Sequence, residues 1–170
     1  MAADIELQSL YDAHAQALFA FLLNFTRDEQ DTYDLLQDLF IKLARHPHLL
    51  ETVQNPRAYL IRLAHNAAVD LIRRRGARHE TPAEADEQSI AVFAPSLDPD
   101  EATLRAALEQ GMSELPPAQR AVVHLKLWEG LTFEEIADTL EIPVNTAASR
   151  YRYGLDKLRD RLRPLYDEIQ

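Results

Sequence analysis

The chain contains no cysteine, which excludes a disulfide framework, a thiolate zinc site and a cysteine nucleophile. Glycine is scarce as well. Gly76, Gly111, Gly130 and Gly154 stand too far apart to build a phosphate-cradling loop, a dinucleotide fingerprint or a nucleophile elbow. The longest uncharged apolar run, Ala17 to Leu23, falls far short of the roughly 20 residues that span a bilayer, and no basic segment precedes it as in a signal peptide. A cytoplasmic protein without membrane insertion is therefore expected. Histidines are present, but none stands in a His-Glu-x-x-His or Glu-x-x-His pattern, and His46 and His48 flank a proline. No metal, no cofactor and no catalytic constellation is expected.

What remains is 170 residues with 46% hydrophobic and 27% charged side chains, the composition of a folded protein with one domain or two small ones. The net charge of -10 argues at first against nucleic acid, but it is unevenly spread. Residues 79–100 hold six acids and no Lys or Arg, which accounts for most of the excess. Two basic islands interrupt the acidic background. In one, Arg57, Arg62, Arg73, Arg74, Arg75 and Arg78 face only Asp70; in the other, six basic residues stand against two acids between Ile142 and Arg163. Local basic patches on an acidic protein suggest contact with a polyanion under a partner's control.

Apolar residues recur at helical spacing in Leu7, Leu10, Tyr11, His14, Leu18, Phe21, Leu22 and Phe25, which predicts a first helix with that stripe buried. Leu35, Leu36, Leu39, Phe40 and Leu43 mark a second helix, from about Asp31 to Arg45. A polar loop from His46 follows. Asn55-Pro56 is a cap with proline at the first helical position, and it opens a third helix with an inner face of Leu60, Leu63, Ala64, Ala67 and Leu71. Residues 1–78 thus read as a three-helix domain, and 79–97 as an acidic flexible linker whose only apolar knot is Ile90 to Phe93. Asp98-Pro99 repeats the cap signal and opens a second domain, 98–170. The fold class is all-α.

Within the second domain, Thr132-Phe133-Glu134-Glu135 forms a capping box, Glu141-Ile142-Pro143 makes a turn, and a long basic helix begins near Asn145. A short helix, a tight turn and a basic helix have helix-turn-helix spacing. Thr146, Ser149, Arg152 and Tyr153 lie on its outer face, positioned for phosphates or base edges in a major groove, whereas Arg159, Arg161 and Arg163 form a solvated end. On the third helix, Arg62, Asn66, Asp70 and Arg74 recur every four residues. They form either a solvated stripe with an Asp70/Arg74 ion pair or, with Tyr59 and the loop, a surface for unpaired DNA. Asp31, Asp34 and Asp38 with Gln37 and Phe40 form either a charged surface or a partner-docking face.

These segments together resemble the extracytoplasmic-function (ECF) group of the sigma-70 superfamily of bacterial sigma factors. The resemblance rests on Asp34-Leu35-Leu36-Gln37-Asp38-Leu39-Phe40, on Asn55-Pro56-Arg57-Ala58-Tyr59-Leu60-Ile61-Arg62-Leu63-Ala64-His65-Asn66 through Arg75, and on Glu114-Leu115-Pro116-Pro117-Ala118-Gln119-Arg120 to Arg159, in family order. It implies an RNA polymerase sigma factor, not an enzyme, in which Asp34, Leu35, Gln37, Asp38 and Phe40 dock on the clamp helices of the largest core subunit. Arg57, Tyr59, Arg62, Asn66, Arg73 and Arg74 would then recognise and melt the minus-ten promoter element. Lys126, Asn145, Thr146, Ser149, Arg150, Arg152 and Tyr153 would bind the minus-thirty-five element, with this domain on the flap of the second subunit. The resemblance also implies a linker threaded toward the active-site channel, and an anti-sigma factor is a further partner it admits. Where the family often has Gly-Thr-Val-Lys-Ser-Arg, this chain has Asn145-Thr146-Ala147-Ala148-Ser149-Arg150, so Ala148 brings no cation to phosphate. Two alternatives stay open: a sigma mimic that titrates an anti-sigma factor without touching DNA, and a stand-alone helix-turn-helix regulator.

Overall fold

Local hydrogen bonds set the helix ends. Asp28 caps the second helix by accepting from the Asp31 N–H at 2.8 Å, and Asn55 caps the fourth by accepting from the Ala58 N–H at 3.1 Å. In the computed structural model, residues 2–77 and 99–169 are described; the expected linker 79–97, Arg78 and the Ile90–Phe93 knot lie outside them. The helices are α1 (Ala2–Thr26), α2 (Glu29–Arg45), α3 (His48–Glu51), α4 (Pro56–Ala77), α5 (Pro99–Glu114), α6 (Pro117–Leu127), α7 (Phe133–Leu140) and α8 (Val144–Ile169). Two units result, Met1–Ala85 and Asp86–Gln170. Among the described residues there is no strand, and no helix is long and apolar enough to cross a membrane.

In the first unit, α1 packs against both α2 and α4. Its apolar stripe is buried only from Leu18 onward, through Phe21, Leu22, Leu23 and Phe25; Tyr11 remains 45% exposed and His14 is half-buried. The expectation that α1 buries its whole stripe is corrected, because α2 and α4 cover its second half. On α4 the buried face is Leu60, Ile61, Ala64 and Ala68, so the expected Leu63, Ala67 and Leu71 stand at its half-buried margin. The stripe is rotated by about one residue, and it still presents alanines at the seam, where a helix can approach closely. The three-helix expectation needs one addition. Between α2 and α4 the supposed loop contains the single turn α3.

Buried hydroxyls help to hold the α1–α2 turn. The Thr32 hydroxyl donates to the Asp28 carbonyl at 2.7 Å, and the Thr26 and Thr32 oxygens lie 2.6 Å apart. Thr32 is fully buried, so each hydroxyl needs such a partner.

The second unit is organised around Met112, Leu115, Val123 and Leu158, with Leu108, Trp128 and Tyr151 packed against them. Arg120 is buried on α6 and donates to the carbonyls of Ser113 and Leu115 at 2.7 and 2.8 Å, satisfying acceptors that the end of α5 leaves open. Where α8 crosses its neighbours it carries Gly154. A Cβ there would sit 2.7 Å from Val123 Cγ2 on α6. We expect Gly154→Ala to destabilise this unit by about 1–3 kcal/mol through overpacking. Val123→Ala in the same chain should restore part of the loss, as read from denaturant midpoints; a midpoint unchanged by Gly154→Ala would show that the helices can separate at no cost.

Candidate polymerase-docking and nucleic-acid interfaces

On α2, Asp34, Gln37 and Asp38 are exposed and Leu35 is half-buried. Phe40 is 8% exposed and meets Tyr11 of α1 edge-on at 4.9 Å between ring centroids. Of the residues expected to dock, Phe40 thus lies beneath the exposed side chains of α2 rather than projecting among them. Asp31 also leaves the expected acidic patch, because its carboxylate pairs with Arg75. Two residues outside the expected set join the face. Tyr33 and Ile41 are 57% and 40% exposed, and with Gln37 they form a stripe at four-residue spacing. The signal for them was apolar character off the buried stripe of the same helix.

On α4, Asn66, Arg73 and Arg74 are exposed, whereas Arg57, Tyr59 and Arg62 are half-buried. Arg62, Asn66, Asp70 and Arg74 share a stripe as the spacing predicts. The ion pair within it differs from expectation. Asp70 binds Arg73 at 2.7 Å, and Arg74 Nε donates to the Asp70 backbone carbonyl at 3.3 Å. The Arg73 side chain remains 76% exposed, so the pair is a surface contact of small energy.

The helix-turn-helix is built from α7 and α8. Thr132 caps α7 in a reciprocal box: the Thr132 N–H donates to Glu135 Oε2 at 2.7 Å, and the Glu135 N–H donates to Thr132 Oγ1 at 3.2 Å. At the other end, Glu141 adopts the left-handed conformation (φ 56°, ψ 47°), which lets the Ile142 N–H reach the Ala137 carbonyl at 3.0 Å. The Pro143 carbonyl then accepts from Thr146 and Ala147 and starts α8.

At about 100° per residue, Asn145, Ser149, Arg152 and Tyr153 fall on one face of α8, opposite the buried Ala147, Gly154 and Leu158. Arg152 lies over the Tyr153 ring, 5.2 Å from its centroid, and Tyr153 is 54% exposed. Ser149 donates to the Thr146 carbonyl at 3.1 Å, and Thr146 and Arg150 are half-buried on the flank. Asp156 continues the outer stripe and meets Arg159 at 3.5 Å, so the face turns mixed in charge after Tyr153.

Lys126 stands apart from this group. Its ammonium donates to the Leu131 carbonyl at 3.1 Å and lies 4.8 Å from the Phe133 ring centroid, and Phe133 in turn meets Tyr151 of α8 edge-on at 5.5 Å. Lys126 thereby links α6 to α7 and, through Phe133 and Tyr151, to α8. Among the described residues, no group of three or more His, Asp or Glu is arranged to hold a metal.

Two helical units, one of them a helix-turn-helix whose outer face carries Arg152, and the other with the exposed acids Asp34 and Asp38 on α2, have the make-up of a DNA-binding protein. The comparisons narrow this class. Residues 10–78 match the family model for sigma-70 region 2, and residues 111–160 match that for sigma-70, region 4. The RNA polymerase sigma factor CarQ of Myxococcus xanthus is 30% identical over 162 residues, covering 95% of this chain and 92% of that one. The ECF RNA polymerase sigma factor SigL of Mycobacterium tuberculosis is 29% identical over 161 residues, covering 94% and 90%. In fold, the chain resembles the sigma factor RpoE solved in complex with the anti-sigma factor NepR from Bartonella quintana, with a TM-score of 0.70, 21% identity and coverage of 94% and 96%. The chain belongs to the ECF sigma factors of the sigma-70 family, non-catalytic subunits that direct RNA polymerase to promoter DNA and initiate transcription.

Lys126→Met should keep the stem over Phe133 but leave the Leu131 carbonyl without its donor, at a cost of about 1 kcal/mol. Chemical denaturation of the full chain measures this, and an unchanged midpoint would show that Lys126 has no supporting role.

Proposed function

We propose that the two units divide promoter recognition between them. The first unit docks on the clamp helices of the largest polymerase subunit through Asp34, Leu35, Gln37 and Asp38, backed by Phe40, and engages the minus-ten element through Arg57, Tyr59, Arg62, Asn66, Arg73 and Arg74. The second reads the minus-thirty-five element through Asn145, Thr146, Ser149, Arg150, Arg152 and Tyr153, with Lys126 beneath them, and rests on the flap of the second subunit. Segment 79–97, acidic and without Lys or Arg, mimics RNA electrostatically and occupies the channel toward the active site until the transcript displaces it. The cytoplasm is the compartment in which such a complex works.

The observation that carries this reading is an acidic, partly apolar face on α2 and an arginine-bearing outer face on α8 in one chain. A stand-alone regulator uses only the latter. The NepR complex of the RpoE-like structure supports an anti-sigma factor as a further partner.

Run-off transcription with purified core polymerase on a panel of promoters tests the division. Asp34→Arg combined with Asp38→Arg should abolish core binding with helix content unchanged, because the reversed charges turn attraction into repulsion. Wild-type core affinity in that variant would remove the α2 assignment. Arg152→Ala should weaken the upstream contact by roughly 1–3 kcal/mol if its guanidinium is bidentate to a base, and by less at a phosphate. Equal transcription from every promoter by variant and wild type would take Arg152 out of the interface.

A further inference from the structure

We propose that the Asp31–Arg75 ion pair is a brace that holds the basic end of α4 to the polymerase-docking helix α2. Both are then positioning residues for promoter opening, not contacts to polymerase or DNA. The inference rests on the reading of α4 as the promoter-melting helix.

Burial along α4 stops early. Ala68 is its last fully buried residue; Leu71 and Ile72 are half-buried, and Arg73, Arg74, Gly76 and Ala77 are exposed. The last turns, which carry the two arginines assigned to DNA, therefore gain little from core packing. Within the arginine run the partners differ. Arg73 is held by the Asp70 carboxylate and Arg74 by the Asp70 carbonyl, both on α4 itself, and neither bond ties α4 to another element. Arg75 instead reaches Asp31, 44 positions earlier and on α2.

The anchor on α2 is firm. The Asp31 N–H is held by the Asp28 cap at 2.8 Å, and the same turn contains the buried Thr26–Thr32 hydroxyl pair. At 27% and 40% side-chain exposure, Asp31 and Arg75 are also less screened than the Asp70–Arg73 pair, at 54% and 76%. Asp34 and Asp38 lie one and two turns further along α2 from Asp31. The brace thus connects the helix that meets polymerase with the end of the helix that meets DNA. It also neutralises a carboxylate that would otherwise repel phosphate.

The test uses the full chain with core polymerase and measures two quantities: core affinity by fluorescence anisotropy, and promoter opening at saturating core by permanganate reactivity of unpaired thymines. Asp31→Asn and Arg75→Gln should each lower opening by about two- to fivefold, the size of a partly exposed ion pair, with core affinity within about twofold of wild type. The charge exchange Asp31→Arg with Arg75→Asp should restore opening. If Arg75 contacted phosphate directly, Asp31→Asn would free its guanidinium and raise opening, which overturns the brace. A fall in core affinity that matches the fall in opening, or an exchange variant as defective as Arg75→Gln, overturns it too. Arg73→Ala with Arg74→Ala separates this inference from the reading beneath it. If that variant opens promoters like wild type, the DNA assignment of α4 fails and the brace with it; if it is defective while Asp31→Asn is not, the brace alone fails.

Discussion

Close helix contact through residues that have almost no side chain is the constraint on which both units depend. Ala64 and Ala68 are fully buried on α4, and a Cβ at Gly154 or Gly111 would lie 2.7 Å from Val123 or 2.9 Å from Leu158. Each unit comprises fewer than ninety residues, and no cysteine is present to staple it. A core that small must be packed to native density, and small residues at the crossings are what let the larger side chains around them interlock. The functional faces are the opposite sides of the same helices. Moving a seam by one residue would turn Arg152 or Asn66 away from its surface.

This dependence explains how a protein of net charge -10 presents cations to DNA. Packing turns the apolar side of α8 inward and leaves Asn145, Arg152 and Tyr153 exposed with Ser149 half-buried beside them, while the acids Asp34 and Asp38 stand on a different helix of a different unit. The acids Asp34 and Asp38 and the cation Arg152 are thereby kept on separate faces. An acidic surface and a cation-bearing one therefore stand apart on one short chain, as the proposed division between polymerase and promoter requires.

Much of the fold was legible in the sequence. The cap at Asn55, the box at Thr132 and Glu135, and the turn at Glu141 to Pro143 are local devices, each completed within about five residues, and the structure contains each of them. Periodicity announced the long helices but was less reliable for their phase. On α4 the buried set includes Ile61 and Ala68 in place of Leu63 and Ala67, because an apolar stripe wider than its contact leaves the neighbours to choose which part is covered. For the same reason the stripe at Leu7 and Tyr11 is only partly covered among the described residues. The turn α3 escaped notice because four residues are too few for a helical period to register.

The candidate site divides along the same line. Motif order, the basic islands and the stripe on α4 are properties of the sequence alone, since neighbours at three- and four-residue spacing share a face in any helix. Which charges pair was decided only by tertiary structure. Asp31 meets Arg75 across 44 positions, Lys126 caps the Leu131 carbonyl beneath Phe133, and Phe40 turns toward Tyr11 instead of outward. The physical reason is reach. A capping bond joins groups that the backbone already holds within a turn of each other, so local sequence suffices to specify it. A long side chain takes its partner from whichever helix packing brings beside it, and that depends on the whole unit.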